Sequence, residues 1–474
     1  MPILQAKGNA PDSRSRWTLF LRAWTWKRLS PPRVFVGSFL LLVLLGTVGL
    51  KVLPGLYTGE PLGWIDALFT STSAVCVTGL VVVDTATYFT LRGQLFILLL
   101  IQIGGLGMIT FTSLIIVALG RRLSLRQESL STSNAGVAPH VQPARLLRDI
   151  VGFTFLLELI GAIALFCVWF HDFDDWRVTA WHAVFHSVSA FCNAGFSTFS
   201  DSLISAQTSP AVLSVIMFLI VLGGIGFLTL EELYLFQKAK RKGHRFRLSL
   251  HSRLVLTTTA VLLVVGWIGY FLLDRNGVFK HLGTGDTLVN TLFMSVTART
   301  AGFNNIDYGQ ASVGSNFFTI LLMSVGGSPG STAGGLKTTT VALIFLVAWS
   351  RLRGQQTVTV AGRSVPDETI QRAIGLFVIV FGIVTAGILS LAVVETQAGR
   401  TPDFLRYMFE AVSAFNTVGL SMGATYELTD GSRVTTVLLM FTGRVGPLAI
   451  AAALTVRNDR SGKFRYAYED VVVG

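Results

Sequence analysis

Uncharged apolar runs separated by short polar stretches make up most of this chain. Val34–Val52 carries one charge, Lys51, while Leu254–Leu273 and Ile374–Val394 carry none. Runs near 20 residues are long enough to cross the ~30 Å hydrocarbon layer of a bilayer as helices. Between them lie shorter, mostly apolar stretches such as Trp64–Val75 and Trp181–Phe191, each ending in a glycine-bearing segment without helical patterning. That combination predicts a half-helix followed by irregular backbone. At membrane depth such backbone is tolerated only where protein encloses it or where it lines a water-filled cavity.

The glycine-bearing segments repeat. Val75-Cys76-Val77-Thr78-Gly79-Leu80, Phe191-Cys192-Asn193-Ala194-Gly195-Phe196, Ala298-Arg299-Thr300-Ala301-Gly302-Phe303 and Phe415-Asn416-Thr417-Val418-Gly419-Leu420 align on a shared glycine, at intervals of 116, 107 and 117 residues. A near-constant period over most of a chain means one unit used four times. Here the unit is a helix, a half-helix with its glycine loop, and a second helix. The expected fold is an all-α polytopic membrane protein with eight transmembrane helices and four re-entrant pore half-helices. Its helix–pore-loop–helix repeats are fourfold pseudo-symmetric around one pore. A basic N-terminal arm (1–33) precedes repeats at 34–120, 146–237, 251–350 and 370–456, and a polar tail (457–474) follows. Inner helices are expected over 92–119, 211–236 and 314–350, the last one broken.

Composition agrees with a membrane class: 51% apolar and 14% charged residues, mean hydropathy +0.61, against roughly a quarter charged in soluble domains. Three cysteines give no disulfide framework; Cys76 and Cys192, at matching repeat positions, read as small packing residues. The long basic start lacks an early cleavable apolar segment, so no secretory signal peptide is expected. The net charge of +12 could suggest a nucleic-acid binder. However, 27 of the 38 Lys and Arg fall in the arm, the loops 121–148, 238–253 and 351–372, and the tail. Positive residues favour the cytoplasmic side, so the distribution reports topology, with both termini inside and no nucleic-acid partner. The opposite loops hold many of the acids, which raise the cation concentration at the mouth.

This topology points the C-terminal, partially negative end of each half-helix toward the membrane centre, where it would stabilise a dehydrated cation. The pentads would then supply backbone carbonyls in place of water, with glycine permitting the necessary dihedrals. Ordinary turn glycines are the plainer reading; four copies with matched flanks favour a filter. A second glycine set, Gly104-Gly105-Leu106-Gly107, Gly223-Gly224-Ile225-Gly226, Gly326-Gly327 and Gly443, lies 24 to 28 residues beyond the first. Small residues allow close helix packing.

Ser324–Thr340 departs from that role. With Gly326, Gly327, Pro329, Gly330, Gly334, Gly335 and Lys337 it cannot form a continuous helix. A broken helix with an intramembrane loop (Ser324, Ser328, Ser331 and Thr332 among its residues) is expected below the pentads. Arg444, within an apolar helix, is either part of a gate or a structural tie to helix-end carbonyls. Gly326-Gly327-Ser328-Pro329-Gly330 formally matches a nucleophile elbow, but its flanks are helical and His182 and His186 fall on the outer side. An intramembrane serine hydrolase is thereby disfavoured. Glu158 and Glu231-Glu232 could couple protons, or serve as a packing contact and a helix-end cap.

Four such repeats, one glycine per filter loop, a glycine-rich break in the third inner helix and Gly443-Arg444-Val445-Gly446-Pro447 in the fourth resemble the Trk/Ktr/HKT potassium transporters. Eight spans resemble the KtrB-type membrane subunit in particular, over about residues 30 to 474. The resemblance implies a non-enzymatic subunit conducting K+, with no covalently bound cofactor and Na+ as a candidate activator. Val77, Thr78, Gly79, Asn193, Ala194, Gly195, Thr300, Ala301, Gly302, Thr417, Val418 and Gly419 would line the filter. The loop from Ser324 to Lys337, with Arg444, would gate it. The family also implies a homodimer in the inner cell membrane on a cytoplasmic nucleotide-binding ring of KtrA type. The TVGYG motif of strict potassium channels is absent, which leaves a sodium-permeable or Na+/H+-coupled carrier of the same fold as the alternative.

Overall fold

The apolar runs form helices, and their ends follow local chemistry. The computed structural model describes residues 31–128, 143–243, 247–360, 362–400 and 403–454. Most of the basic arm, much of the loop 121–148, Arg245 and the C-terminal tail lie outside these residues. In order, the first unit comprises α1 (Pro31–Val52), the short α2 (Trp64–Val75) and α3 (Leu91–Glu128). The second has α4 (Pro143–Trp169), the short α5 (Trp176–Cys192), α6 (Pro210–Ile225) and α7 (Phe227–Arg241). The third has α8 (Leu250–Asp274), the short α9 (Thr284–Thr297), α10 (Val313–Met323) and α11 (Thr338–Leu352). A small antiparallel hairpin, β1 (Thr359–Val360) with β2 (Arg363–Ser364), leads to α12 (Asp367–Gln397), the short α13 (Phe404–Asn416), α14 (Asp430–Val445) and α15 (Pro447–Leu454).

Among the described residues, five helices are long and apolar enough to cross a membrane, or seven if each of two bent pairs is one span. Those two pairs differ from the sequence expectation. The single inner helix expected over 211–236 is instead α6 and α7, meeting at 100°. The cause is Gly226, at φ 93° and ψ 140°, after which the Phe227 amide donates to the Gly330 carbonyl (3.0 Å) rather than continuing the helix. In the fourth unit α14 and α15 meet at 91°, with Gly446 at φ 88° followed by Pro447, which has no amide hydrogen to carry the ladder on. The α3 backbone also stays helical to Glu128, past the expected end at 119.

The short helices are the most buried, and glycines bring the long ones up to them. In three units a half-helix serine donates to an outer-helix carbonyl: Ser71 to Val43 (2.7 Å), Ser187 to Glu158 (2.6 Å) and Ser295 to Leu263 (2.9 Å). Three residues beyond each acceptor is a glycine, Gly46, Gly161 or Gly266, where any side-chain carbon would collide with that serine. In the fourth unit the equivalent residue is Ala411, and the hydroxyl bond is absent. On the other side, Gly104, Gly223 and Gly443 each press against the last-turn carbonyl of their own half-helix, at Val75, Phe191 and Phe415. An ion pair between Arg433 of α14 and Asp66 of α2 (2.7 Å) ties the last unit to the first.

Candidate ion-conduction pathway

Each half-helix ends in the same backbone conformation. Val77, Asn193, Thr300 and Thr417 are non-glycine residues with φ between 51° and 69°, and two residues later Gly79, Gly195, Gly302 and Gly419 have φ between 69° and 97°. The residue between keeps negative φ, so handedness alternates along each loop. Successive amides then face one side and successive carbonyls the other. The amides turn back onto the half-helix: Thr78 to the Ser73 carbonyl (2.8 Å), Ala194 to Ser189 (2.7 Å), Ala301 to Thr297 (3.0 Å) and Val418 to Ser413 (2.8 Å). This is the bonding of a helix end closed by a left-handed residue.

The carbonyls have no such partners. None of the twelve carbonyls of Val77–Gly79, Asn193–Gly195, Thr300–Gly302 and Thr417–Gly419 accepts a hydrogen bond from a described residue, and all twelve residues are buried. The glycines close a ring. A side-chain carbon on Gly79 would lie 2.5 Å from the Ala194 carbonyl oxygen, and one on Gly195 3.0 Å from that of Ala301. Likewise Gly302 faces the Val418 carbonyl and Gly419 faces that of Thr78. The four glycines and the residue before each, eight of the twelve residues named from the sequence as a filter, therefore meet in one ring of four loops, and Val77, Asn193, Thr300 and Thr417 precede them in those loops. On one side the four glycines open into a cavity of about 230 Å³ whose wall includes Asp84, Asp201 and Asp307.

On the half-helix side of the ring lies the segment between α10 and α11. It closes on itself, with Gly326 N donating to Leu336 O (2.8 Å), and is pinned to three helices. Ser328 N and Thr332 N donate to Gly224 O (3.0 Å) and Gly223 O (3.3 Å) of α6, Gly335 N to Gly443 O (3.2 Å) of α14, and Leu336 N to Asn416 Oδ1 (3.2 Å) of α13. Gly334 is pressed onto the Thr417 side chain at the base of the ring. Within the loop Ser331 donates to Ser328 O (2.6 Å), and Ser324 to Ile320 O (2.8 Å) at its start. Lys337 Nζ donates to Ala333 O (2.6 Å). Pro329 and Gly330 lie beside the bend at Gly226.

Arg444 reaches this loop. Fully buried, it donates through one terminal nitrogen to the Thr332 carbonyl and through the other to Gly104 O of α3 (3.1 Å). Arg444 thus ties the loop to α3, through carbonyls that lie within the loop and within the helix rather than at helix ends. Ser328 is bonded to Thr338 Oγ1 (3.2 Å), and His182 and His186 bond residues after Gly195 instead, so no nucleophile–base pair forms. Glu158 accepts from Gln102 (3.1 Å), and Glu232 caps α8 through Ser249 (2.7 Å) and Ser252.

The sequence reading missed the hydroxyls that brace the filter loops. Ser73 and Ser413 accept from Gly79 N and Gly419 N (3.1 Å each), while Ser189 and Thr297 donate to Phe196 O (2.7 Å) and Phe303 O (2.8 Å). Their signal is a Ser or Thr five or six residues before every filter glycine.

Four short buried helices whose loops meet in one ring, among long apolar helices, have the architecture of a membrane transport protein. A family model described as TrkH, cation transport protein, matches residues 38–463, and the chain belongs to that family. It is 39% identical over 452 residues to the Ktr system potassium uptake protein B of Bacillus subtilis, covering 95% of this chain and 98% of that one. It is 37% identical to the potassium/sodium uptake protein NtpJ of Enterococcus hirae, covering 94% and 98%. The crystal structure of the potassium transporter TrkH from Vibrio parahaemolyticus superposes with a TM-score of 0.72 over 93% of this chain and 89% of that one, at 18% identity; the fold is shared.

Proposed function

We propose that this chain is the ion-conducting subunit of a potassium uptake system, passing K+ down its electrochemical gradient through the four-loop ring. The observation that carries the reading is the set of twelve buried carbonyls without a hydrogen-bond partner among the described residues. Orphaned buried carbonyls are costly, and a dehydrated monovalent cation is the partner that suits four inward-facing strands of them. Four helix C-termini converging on the ring add partial negative charge. The five long helices, the two bent pairs and the α10–α11 pair broken by its loop make eight spans, with α2, α5, α9 and α13 as pore half-helices in a fourfold pseudo-symmetric arrangement. The basic loops favour both termini in the cytoplasm, with the protein in the inner membrane.

The loop from Ser324 to Lys337, held by Arg444, acts as the gate beneath the filter. The relatives named as parts of a Ktr system favour a multi-component assembly, here a homodimer on a cytoplasmic nucleotide-binding ring. Rubidium or potassium flux into liposomes containing purified protein, competed by sodium, tests the function. Rb+ uptake that Na+ fails to suppress is expected. Uptake of Na+ at least equal to that of Rb+ would replace the reading by a sodium-permeable carrier, and no flux of either ion would end it.

A further inference from the structure

The position nine residues before each filter glycine is occupied by Thr70, His186, Phe293 or Glu410. In the second and fourth units this residue is ionisable, fully buried and bonded to a serine two residues beyond the glycine. His186 Nδ1 lies 2.8 Å from the His182 carbonyl, which can only accept, so Nδ1 carries the proton. Nε2 lies 2.9 Å from the Ser197 hydroxyl, which also accepts from Phe199 N (2.9 Å) and reaches the Ser202 carbonyl (3.3 Å). The ring stacks on Phe199 (centroids 4.7 Å apart) and meets Trp169 edge-on (5.3 Å). Glu410 accepts from Ser421 Oγ on one oxygen and from Thr425 Oγ1 (2.9 Å) on the other, while Ser421 Oγ also accepts from Gly423 N (2.9 Å).

These two contacts occupy one place in the repeat, and the glycines they follow, Gly195 and Gly419, are opposite members of the ring. Ser197 and Ser421 both form part of the vestibule wall. In the other pair the equivalent residues are Val81, which has no polar side chain, and Asn304, whose side-chain oxygen has no partner. The third loop is held differently, with Asn304 N donating to Ser202 Oγ (3.1 Å), Asn304 O accepting from Leu203 N (2.9 Å) and Asn305 Nδ2 donating to Asn290 O (3.1 Å) of α9, so an ionisable side chain clamps the mouth on one diagonal only. We propose that His186 and Glu410 are positioning residues that hold the outer ends of two opposed filter loops through Ser197 and Ser421, and thereby set the ion preference of the ring.

The physical argument is that a carbonyl ring discriminates between ions by the spacing and number of its oxygens. The freedom of each strand just outside its glycine decides how far the ring can contract around the smaller Na+. Two side-chain clamps on one diagonal restrict that contraction from outside, while the half-helix hydroxyls at Ser73, Ser189, Thr297 and Ser413 restrict it from behind. This inference rests on the filter reading above.

The test is Rb+ and Na+ uptake by full-length protein in liposomes, for wild type, Ser197→Ala, Ser421→Ala, the double variant and Ser421→Thr. Each alanine removes one hydroxyl, and either single variant alone suffices if the double does not fold. The preference for Rb+ over Na+ is expected to fall roughly fivefold per lost hydrogen bond and further in the double variant. The KM for Rb+ should move more than the maximal rate, and Ser421→Thr should stay near wild type. A selective wild type whose alanine variants are equally selective, with both ions slowed alike, overturns the clamp alone. A wild type without preference for Rb+ overturns the filter reading and the clamp with it.

Discussion

Gly79 shows how little room one filter position has. Its φ of 97° lies in the left-handed region, where a side chain costs ~1–2 kcal/mol, and a carbon there would crowd the Ala194 carbonyl at 2.5 Å. Gly79→Ser should therefore push the neighbouring strand outward and add a hydroxyl beside the carbonyl ring. The expected outcome is folded protein with K+ preferred over Na+ much less, read as the Rb+ to Na+ uptake ratio; an unchanged ratio would remove Gly79 from the ion path. In the proposed gate, Arg444 would act by charge as well as by its bonds. At an effective dielectric near 20, two unit positive charges ~6 Å apart repel by roughly 3 kcal/mol, about a hundredfold in local occupancy. Arg444→Gln should accordingly raise flux at matched expression, and flux at or below wild type would deny it a place in the gate. The glycines and Arg444 could be read from the sequence because each breaks the apolar pattern around it. Ser73, Ser189, Thr297 and Ser413 were missed although a Ser or Thr recurs five or six residues before every filter glycine, because a hydroxyl in a half-helix is chemically ordinary until the folded chain shows which backbone group it meets.

At the scale of elements, the segment between α10 and α11 is the part held in most ways. Its carbonyls at Thr332 and Gly330 accept from Arg444 and from Phe227 at the α6–α7 bend. Deleting Gly330 to Gly334 removes both anchors and the mass beneath Thr417, so flux should rise. Because Thr332 is the loop residue Arg444 holds, combining the deletion with Arg444→Gln should add little to either change. Uptake by the three variants, without any regulatory partner, decides between the alternatives, since fully additive increases would leave a plug and a charge barrier acting independently. The loop itself was legible, as five glycines and a proline in an apolar run admit no continuous helix. The bend at Gly226 was not. One glycine ahead of Phe227 costs only ~1 kcal/mol in a helix, and the turn is set by Gly330, about a hundred residues away in the chain, which takes the Phe227 amide. Gly446-Pro447 did carry a local signal, since proline cannot continue the ladder. The sequence expectation nevertheless carried the fourth unit through to residue 456 without a bend.

For the whole molecule, the charge pattern carries the proposed orientation and, with it, the proposed partner surface. The period of the filter glycines and the clustering of Lys and Arg could be read directly, since both are patterns over long stretches that local context cannot hide. Which surface meets a second protein is less legible, because loops of one sign look alike in sequence. The bend at Gly226 separates them. It turns α7 by 100° from α6, so the basic last turn of α7, with Lys238, Lys240 and Arg241, is displaced sideways from the end of the inner helix. A regulatory ring below the membrane would meet that turn and the loop that follows. Reversing Arg241, Lys242 and Arg245 to Glu converts three attractions into three repulsions. Exposed pairs contribute roughly 0.2–1 kcal/mol each, so association with a cytoplasmic partner should weaken about tenfold or more. Because Arg241 and Lys242 are exposed, the loss should shrink at high salt, where the screening length falls to ~3 Å. The proposed membrane dimer is expected to survive, and gel filtration in detergent checks this. Co-purification of the partner at an unaltered ratio, with the dimer intact, would move the docking surface to the loops around residues 121–148 or 351–372.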